Sequence, residues 1–378
     1  MAYISEGKFS FLKIIFQAAM ITLLTFFISR FFIVDVLSLS IFSADEETID
    51  YEFSDFYEAV AARRSVSRLS ADISIVSVDM LSRNEIGEVV EKVAACNPHA
   101  IILDVIFFYP SENDSSLLQS LNTPKNLVLP LIITEEGDVI ESYFYDSMDK
   151  PLTGAVNLAA SSNRNLIRKF KKSFSEGDRE VESVDMEALR LADEEKYEQL
   201  KQRREETEYI NFTSLEFPEI SGEELLYNDS IKAYSDEIKG KIVIIGNIND
   251  PSDYHFTPAG ILSGSHIHAY ILQTMIDGKY VQTAGNLPDW VLAISICFVF
   301  LFFGCFIKEK EIKGDSLCLR IIQIILFVIL VYIGLKEYMG NKNYLNLMPA
   351  ITMVIFGTLS MDIWYGLKAL LSRFHKSS

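Results

Sequence analysis

Four long apolar stretches interrupt an otherwise mixed chain, one near its start and three near its end. They lie at about Phe11–Val34, Trp290–Ile307, Ile321–Gly334 and Leu347–Leu367. An α-helix needs roughly 20 residues to cross a bilayer, and the first, second and fourth stretches are about that long or longer. The third is the shortest, and a buried core helix is its main alternative. The pattern predicts four transmembrane helices. A cleaved signal peptide is disfavoured for the first, because that run is long and contains Arg30.

Basic residues gather in the short segments on one side of these predicted spans. They are Lys8 and Lys13 before the first span, Lys308, Lys310, Lys313 and Arg320 between the second and third, and Lys368, Arg373 and Lys376 after the fourth. Since basic loops remain in the cytoplasm, we expect both termini to be cytoplasmic and the segment 35–288 to lie outside. The predicted location is therefore the cytoplasmic (inner) membrane, with a large domain on the periplasmic side.

The outer segment alternates apolar runs with stretches of helical periodicity. Residues 72–78, 100–108 and 241–246 are almost continuously apolar, as in strands that are covered on both faces. Helical spacing appears at Ile86–Ala95 and again at His268–Ile276. This alternation predicts an α/β domain with a mainly parallel sheet covered by helices, in addition to the four transmembrane α-helices.

Two further features complete the predicted organisation. Leu127–Ile133 and Val139–Tyr145 resemble a pair of strands around a turn, and Glu182–Glu208 is predicted to be one long helix on the domain surface. We expect three parts in chain order. They are a cytoplasmic N-terminus with its anchor (1–34), an extracytoplasmic domain (35–288), and three spans with a short cytoplasmic tail (289–378).

Composition agrees with this organisation and excludes some partners. The 378 residues have a mean hydropathy of +0.19, which is high for a soluble chain of this length. The chain carries 34 Lys+Arg against 52 Asp+Glu, a net charge of -18, so a nucleic-acid partner is not expected. Four cysteines are too few for a disulfide scaffold.

Several short blocks together resemble a known family. They are Ile238–Gly246 (IKGKIVIIG), Asp253, Phe256-Thr257-Pro258 and Gly264 with His266-Ile267-His268-Ala269, preceded by Ile73–Asp79 and His99–Pro110. The set resembles the extracellular sensory CHASE domains of the second type, held by one N-terminal and three C-terminal spans. The Trp-Pro-Trp-Pro stretch usual after the first strand is missing. No kinase, cyclase or phosphatase follows the last span, so the resemblance implies a sensor without its own output domain.

Three aspartates each follow or end an apolar strand. They are Asp79, Asp104 and Asp253, and with His268 they are the candidate ligand-binding residues. The carboxyl ends of parallel strands frame the ligand crevice of an open sheet, so these carboxylates could hold a cation or accept hydrogen bonds from an amine or a hydroxyl. The alternative is that each aspartate caps a helix or ties a turn, and that His268 packs at the start of its helix.

The sequence carries no established catalytic or cofactor motif. His255, His266 and His268 suggest zinc, but the last two share a face only in an extended strand, and neither a nearby cysteine nor a His-Glu-x-x-His helix accompanies them. Gly-x-Ser-x-Gly, P-loop and Gly-x-Gly-x-x-Gly patterns are missing as well. We therefore expect no metal site, no cofactor and no catalytic residue.

These observations favour a membrane-anchored extracytoplasmic sensor that binds a small molecule or an ion. Its expected partners are the lipid bilayer and a separate membrane or cytoplasmic signalling protein, or a second copy of the chain. A docking or structural protein of the cell envelope is the alternative. A metal-dependent hydrolase built on Asp79, Asp104 and Asp253 is a third hypothesis.

Overall fold

The protein is described by a computed structural model, which covers residues 2–31, 53–64, 68–112, 114–134, 136–158, 166–177, 179–212, 215–227, 231–283, 285–310 and 315–377. The chain divides into two compact units. One is the outer unit, Ile49–Val281, and the other is the membrane unit, Met1–Thr48 together with Gln282–Ser378.

The helices and strands follow one another along most of the chain. The helices are α1 (Ala2–Phe31), α2 (Phe53–Arg64), α3 (Arg83–Ala95), α4 (Asp114–Asn122), α5 (Val184–Ala192), α6 (Glu194–Lys201), α7 (Gly222–Tyr227), α8 (Ile231–Ile238), α9 (Gly264–Asp277), α10 (Asn286–Glu309), α11 (Asp315–Asn341) and α12 (Met348–Ser377). The strands are β1 (Arg68–Leu69), β2 (Ile73–Ser77), β3 (Ala100–Asp104), β4 (Leu127–Ile133), β5 (Val139–Glu141), β6 (Leu152–Ala155), β7 (Lys169–Lys171), β8 (Ser173–Glu176), β9 (Arg179–Glu182), β10 (Thr207–Tyr209), β11 (Leu215–Glu216), β12 (Glu219–Ser221), β13 (Ile242–Gly246), β14 (Tyr254–Thr257), β15 (Gly260–Ser263), β16 (Gln282–Thr283) and β17 (Asn343–Tyr344).

A twisted, mainly parallel sheet forms the centre of the outer unit. Its strands run in the order β12-β2-β13-β3-β4, with β6 parallel along the other edge of β4 and only β5 antiparallel. Strand β13 lies between β2 and β3, so that Ile244 pairs with both Ile75 and Ile102. The predicted α/β fold with a mainly parallel sheet is therefore confirmed, together with the predicted pairing of β4 and β5 around a turn.

Helices cover both faces of this sheet. Successive side chains of β3 point alternately to the two faces. Ile101 and Leu103 pack in the hydrophobic cluster with α3 and α4, whereas Ala100 and Ile102 pack in the cluster with α5 and α9. Because successive side chains of a strand point to opposite faces, Asp104 lies on the side of α5 and α9. This alternation decides which helices can reach the carboxylate.

Helix α9 is buried on two sides. Ala269 and Leu272 pack against the sheet, and Ile267 and Ile271 pack into a second cluster with α5, α6 and the β7–β10 pair. An amphipathic surface helix would bury one stripe only. Helix α9 is therefore held as a central element of the outer unit, with little freedom at its first turns.

The predicted long helix at Glu182–Glu208 is wrong, because the structure divides this stretch. Helix α5 ends at Ala192, and α6 begins at Glu194 after Asp193, whose carboxylate accepts a hydrogen bond from the backbone N–H of Lys196 at 3.0 Å. An aspartate that caps a helix start in this way favours a new helix over continuation of the old one. The apolar strand expected at 100–108 is also shorter and ends at Asp104.

In the described part of the chain, the membrane unit contains four helices that are long and apolar enough to cross a membrane. Within α1, α10, α11 and α12 these spans are Phe11–Phe31, Leu287–Glu309, Ser316–Asn341 and Met348–Arg373. Helices α1, α10 and α12 pack against one another in pairs, whereas α11 contacts mainly α12. Glycines at the contact allow α10 and α12 to approach, since a Cβ at Gly304 would lie 3.1 Å from Met361 Sδ.

A short strand pair connects two loops of the membrane unit. Strand β16, which follows the outer unit directly in the chain, pairs in parallel with β17 through Gln282 with Asn343 and Thr283 with Tyr344. The backbone N–H of Gln282 also donates to the carbonyl of Lys342 at 2.8 Å. The segment that leaves the outer unit is thus hydrogen-bonded to the loop between the third and fourth spans.

Candidate functional site

An open pocket of about 370 Å³ lies at the carboxyl edge of the central sheet. It is lined by Asp104, Ile106, Ile132, Val156, Asn157, Leu158, Ile167, Asp253, His255, Gly264 and His268. Its volume lies in the range of pockets that hold small ligands. Ligands of open parallel sheets occupy this edge, so the pocket is the candidate functional site.

The pocket is lined from the ends of β3, β4 and β6 and from the segments that follow them. Strand β3 pairs with β4 through Ile101 and Ile102, whereas β6 pairs with β4 from Val128 to Leu131. Aliphatic side chains from the ends of these strands and from the segments after them form its apolar wall. The wall consists of Ile106, Ile132, Val156, Leu158 and Ile167. Besides Asn157, the polar lining residues come from the end of β3, from Asp253 and β14, and from the start of α9.

Asp104 is the last residue of β3, and its carboxylate is only partly satisfied. The hydroxyl of Ser265 donates to Oδ2 at 2.8 Å, and among the described residues no donor reaches Oδ1. Burial raises the pKa of Asp104, although the positive charge of His268 and the Ser265 hydrogen bond act in the opposite direction. A carboxylate in this state gains from a further donor or a positive charge.

The close contact between Asp104 and Ser265 requires a glycine beside them. Gly246 ends β13 between the two, and a Cβ there would lie 2.3 Å from Ser265 Oγ and 3.1 Å from Asp104 Cβ. Any side chain would displace the serine hydroxyl from the carboxylate. The apolar strand that ends in glycine is thus the reason why α9 can begin against the sheet.

His268 and Asp185 form a buried ion pair behind the pocket. Nδ1 of His268 lies 2.9 Å from Oδ2 and 3.1 Å from Oδ1 of Asp185, and both residues are 2% exposed. Burial by itself lowers the pKa of His268, but the charge and hydrogen bonds of Asp185 raise it to about 9. The imidazole is therefore positively charged at neutral pH. Its Nε2 makes no hydrogen bond within the described part of the chain.

Glycine also positions Asp185. A Cβ at Gly154 of β6 would lie 2.7 Å from both the Cα and the backbone nitrogen of Val184, so only glycine allows α5 to start this close to the strand. The hydroxyl of Ser183 caps the same helix start by accepting from the N–H of Met186 at 3.2 Å. These two contacts fix the start of α5, and the carboxylate of Asp185, the second residue of this helix, therefore lies opposite His268.

Asp253 closes the polar side of the pocket at the start of α9. Its Oδ2 accepts a hydrogen bond from the backbone N–H of Gly264 at 2.8 Å, and its Oδ1 lies 3.5 Å from Nε2 of His255. A Cβ at Gly264 would stand 2.8 Å from Oδ2, so the glycine is required for this approach. The carboxylate also benefits from the positive end of the helix dipole.

Asp79, in contrast, ties a turn. Its Oδ1 accepts from the backbone N–H groups of Ile248 at 3.1 Å and Asn249 at 3.2 Å. Its Oδ2 accepts from the Asn249 side chain at 2.9 Å and from the hydroxyl of Ser77 at 2.7 Å. The structure thus brings three of the four candidate residues, Asp104, Asp253 and His268, to one pocket, and Asp79 does not line it.

The histidines do not converge on one point. Nε2 of His266 donates to the carboxylate of Glu219 at 3.0 Å, and its Nδ1 lies 2.8 Å from the hydroxyl of Ser263. His268 instead faces Asp185. The described residues contain no group of three or more His, Cys, Asp or Glu side chains placed to hold a metal ion. The polar groups that face the pocket are therefore arranged for hydrogen bonds and charge, beside an apolar wall.

Two residues of the site were not found from the sequence. Ser265 lies just before the helical spacing that the sequence shows at His268–Ile276, and it gives no signal of its own. Asp185 lies in the charged stretch that predicted a surface helix, although the apolar stripe of Val184, Ala188 and Leu191 runs along the same helix. The signal for burial of Asp185 was its position directly after Val184, the first residue of this apolar stripe.

The comparisons with known proteins agree with this architecture. The model of the CHASE2 domain matches residues 33–305, more than half of the chain, and the chain therefore belongs to the CHASE2 domain family. This confirms the resemblance found in the sequence and assigns the outer unit to a class of extracellular sensory domains. With its four membrane-spanning helices, the chain is a multi-pass membrane protein. Neither a curated protein nor a solved structure matched the chain.

Proposed function

We propose that this protein is a membrane-anchored sensor, which binds a ligand in the pocket outside the cytoplasm and acts through a partner. In this proposal it resides in the cytoplasmic membrane, with the outer unit on the periplasmic side and both termini in the cytoplasm. The three basic clusters of the sequence support this orientation. The protein itself catalyses no reaction, and its partner is a separate signalling protein or a second copy of the chain.

The observation that carries this proposal is the double role of α9. Its first turns contribute Gly264 and His268 to the pocket, and it ends at Asp277 with Gly278 in the left-handed conformation (φ 63°). Only four residues, 278–281, separate it from β16, which pairs with β17 shortly before α12 begins. Because α9 is packed on two sides, a ligand that contacts its first turns acts on the whole helix, which is joined to the spans through residues 278–281 and β16.

The third span supports the participation of a partner. In the most apolar 18-residue stretch of α11, only 17% is buried inside the protein, compared with 50% in the corresponding stretch of α12. Polar contacts nevertheless hold α11 to α12: Nε2 of Gln323 donates to the carbonyl of Val354 at 3.0 Å, and Arg320 donates to the hydroxyl of Thr358 at 2.7 Å. A helix fixed on one side and open on the other offers a surface to another helix in the bilayer.

Hydrogen–deuterium exchange of the full chain in lipid nanodiscs tests the proposal. We expect the Asp104→Asn variant, which changes the charge of the pocket, to alter amide exchange both in α9 and in the peptide that contains β17. Local opening equilibria of coupled elements shift together, so the second change reports coupling to the spans. Asp72→Asn is the matched control, since Asp72 is exposed at the amino end of β2.

Changes confined to the pocket, with the β17 peptide unaffected, would contradict the sensor proposal. That result would favour a docking protein of the cell envelope, the second candidate function. One observation supports the second candidate: Met80 is fully exposed, and Phe108 and Tyr109 are more than half exposed, at the loops that follow β2 and β3. The hydrolase hypothesis needs Asp79 beside Asp104 and Asp253, and it loses its support because Asp79 is engaged in a turn.

A further inference from the structure

The charges at the pocket do not balance. His268 is positive, and the carboxylate of Asp185 behind it supplies one negative charge against it at 2.9 Å. The carboxyl groups of Asp104 and Asp253 then remain in the lining without a cation of their own among the described residues. Burial raises the pKa of Asp104, and the nearby charge of Asp253 acts in the same direction. The His255 side chain, 3.5 Å from Asp253, is the remaining titratable group of the lining. The lining therefore favours an occupant with a positive charge.

The hydrogen-bonding groups show where that charge would lie. The side chain of Asn157 is already used, because it pairs with the backbone N–H and carbonyl of Ile133 at 2.8 Å each. Ser265 donates to Asp104, and Gly264 donates to Asp253. Within the described residues, Oδ1 of Asp104 therefore remains as an acceptor without a donor, and the 2%-exposed His268 presents an unpartnered Nε2 at the pocket.

The remaining surface of the pocket distinguishes an organic cation from a metal ion. Five aliphatic side chains, from Ile106 to Ile167, form one wall of a space of about 370 Å³. A divalent metal ion prefers six or more oxygen ligands or a tight tetrahedral set, and an aliphatic wall supplies neither. An apolar group gains free energy against this wall, because it removes apolar surface from water.

We propose that the pocket binds a small organic cation, a protonated amine that carries an apolar group. Its ammonium group donates hydrogen bonds to Asp104 and lies near Asp253, while its apolar group covers the wall formed by Ile132, Val156 and Leu158. In members of this class that also carry an oxygen next to the ammonium group, the Nε2–H of His268 donates to that oxygen. This assignment rests on the proposed function, because it names the ligand class of the same pocket.

Binding of three matched probes to the full chain in lipid nanodiscs tests the ligand class. The probes are 2-phenylethylammonium, 2-phenylethanol and phenylacetate, which share the ring and differ in charge, and isothermal titration calorimetry measures their affinities. We expect the ammonium probe to bind roughly tenfold or more tightly than the alcohol, since a charge-assisted hydrogen bond exceeds a neutral one. Phenylacetate is expected to show no binding.

Variants of the chain locate this preference. Asp104→Asn, which keeps the shape of the side chain, should lower the affinity of the ammonium probe roughly tenfold and leave that of the alcohol within about twofold. Asp72→Asn should change neither affinity. Val156→Phe should lower the affinity of both the ammonium and the alcohol probe, because the larger side chain narrows the pocket. Thermal unfolding of each variant shows that the outer unit remains folded.

Any one of four outcomes would overturn the ligand class. Two concern the probes: equal binding of ammonium and alcohol, or no binding of any of the three. The third is an equal effect of Asp104→Asn and Asp72→Asn on the affinity of the ammonium probe. The fourth is binding of Mg²⁺ or Ca²⁺ that is tighter than that of the ammonium probe and is lost in Asp104→Asn. None of these affects the exchange experiment, which uses no ligand, so failure of the ligand class and failure of the sensor proposal are distinguishable.

Discussion

The ends of strands β2 and β3 carry the same chemistry in two different states. Both strands flank β13, both are apolar, and an aspartate stands at or just after the end of each, Asp79 and Asp104. Asp79 accepts four hydrogen bonds from its surroundings, two of them from backbone N–H groups. Asp104 accepts one hydrogen bond from the residues that the structure describes, donated by the hydroxyl of Ser265, and it lines a pocket.

The difference arises from what covers each strand end. The loop after β13 folds back over Asp79 and directs the N–H groups of Ile248 and Asn249 at it. Over Asp104 lies the first turn of α9, whose N–H groups are occupied elsewhere: Gly264 donates to Asp253 and His266 to Ser263. A saturated carboxylate stabilises a turn, whereas an unsaturated one at a pocket keeps its capacity to bind.

The largest expected effect concerns the ion pair behind the pocket. Asp185→Ala leaves the His268 imidazolium buried without its partner and should lower the free energy of unfolding of the outer unit by about 3–5 kcal/mol. Chemical denaturation of the full chain in nanodiscs, followed by near-ultraviolet circular dichroism, measures this. The double variant Asp185→Asn with His268→Gln removes both charges, and it should recover most of the loss. A double variant as unstable as the single one would show that shape, not charge, governs this side.

The two strand ends should respond differently to loss of their carboxylates. Asp79→Ala leaves two backbone N–H groups without an acceptor and should cost about 3 kcal/mol of unfolding free energy. Asp104→Asn should change it by less than about 1 kcal/mol in either direction, because the amide still accepts from Ser265 and a buried negative charge is removed. The same denaturation experiment compares the two variants. Similar losses at both positions would break the distinction between a structural and a binding aspartate.

The pH dependence of the unfolding free energy should distinguish the end of β2, at Asp79, from the end of β3, where His268 lies near Asp104. The pKa of His268 is about 9 in the folded protein and about 6.5 when unfolded, so its contribution is complete below about pH 6.5 and is lost as the pH rises through 9. We expect the unfolding free energy to fall by about 3 kcal/mol across this window. Asp79→Ala should leave the slope of unfolding free energy against pH unchanged. The double variant Asp185→Asn with His268→Gln should flatten it. An unchanged slope in the double variant would exclude His268 as its source.

The sequence by itself determined the parts of this protein that depend on local pattern. Length and continuity of apolar runs predicted the four spans and the strands β2, β3 and β13, because burial on both faces requires such runs. The position of Asp104 at a strand end and of His268 near a helix start followed from the same pattern. These features depend on neighbours in sequence, whose periodicity can be read directly.

Tertiary structure alone decided which of the polar residues share a site. The partner of His268 is 83 residues away in Asp185, the partner of Asp104 is 161 residues away in Ser265, and the loop that saturates Asp79 is about 170 residues away. Two aspartates that look alike in the sequence therefore have different roles: Asp79 stabilises a turn, and Asp104 lines a pocket. The reason is that β13 lies between β2 and β3, with the loop after it over Asp79 and the start of α9 over Asp104. Hydrogen bonds over such separations depend on the order of the strands in the sheet, which the local pattern of a single sequence does not encode.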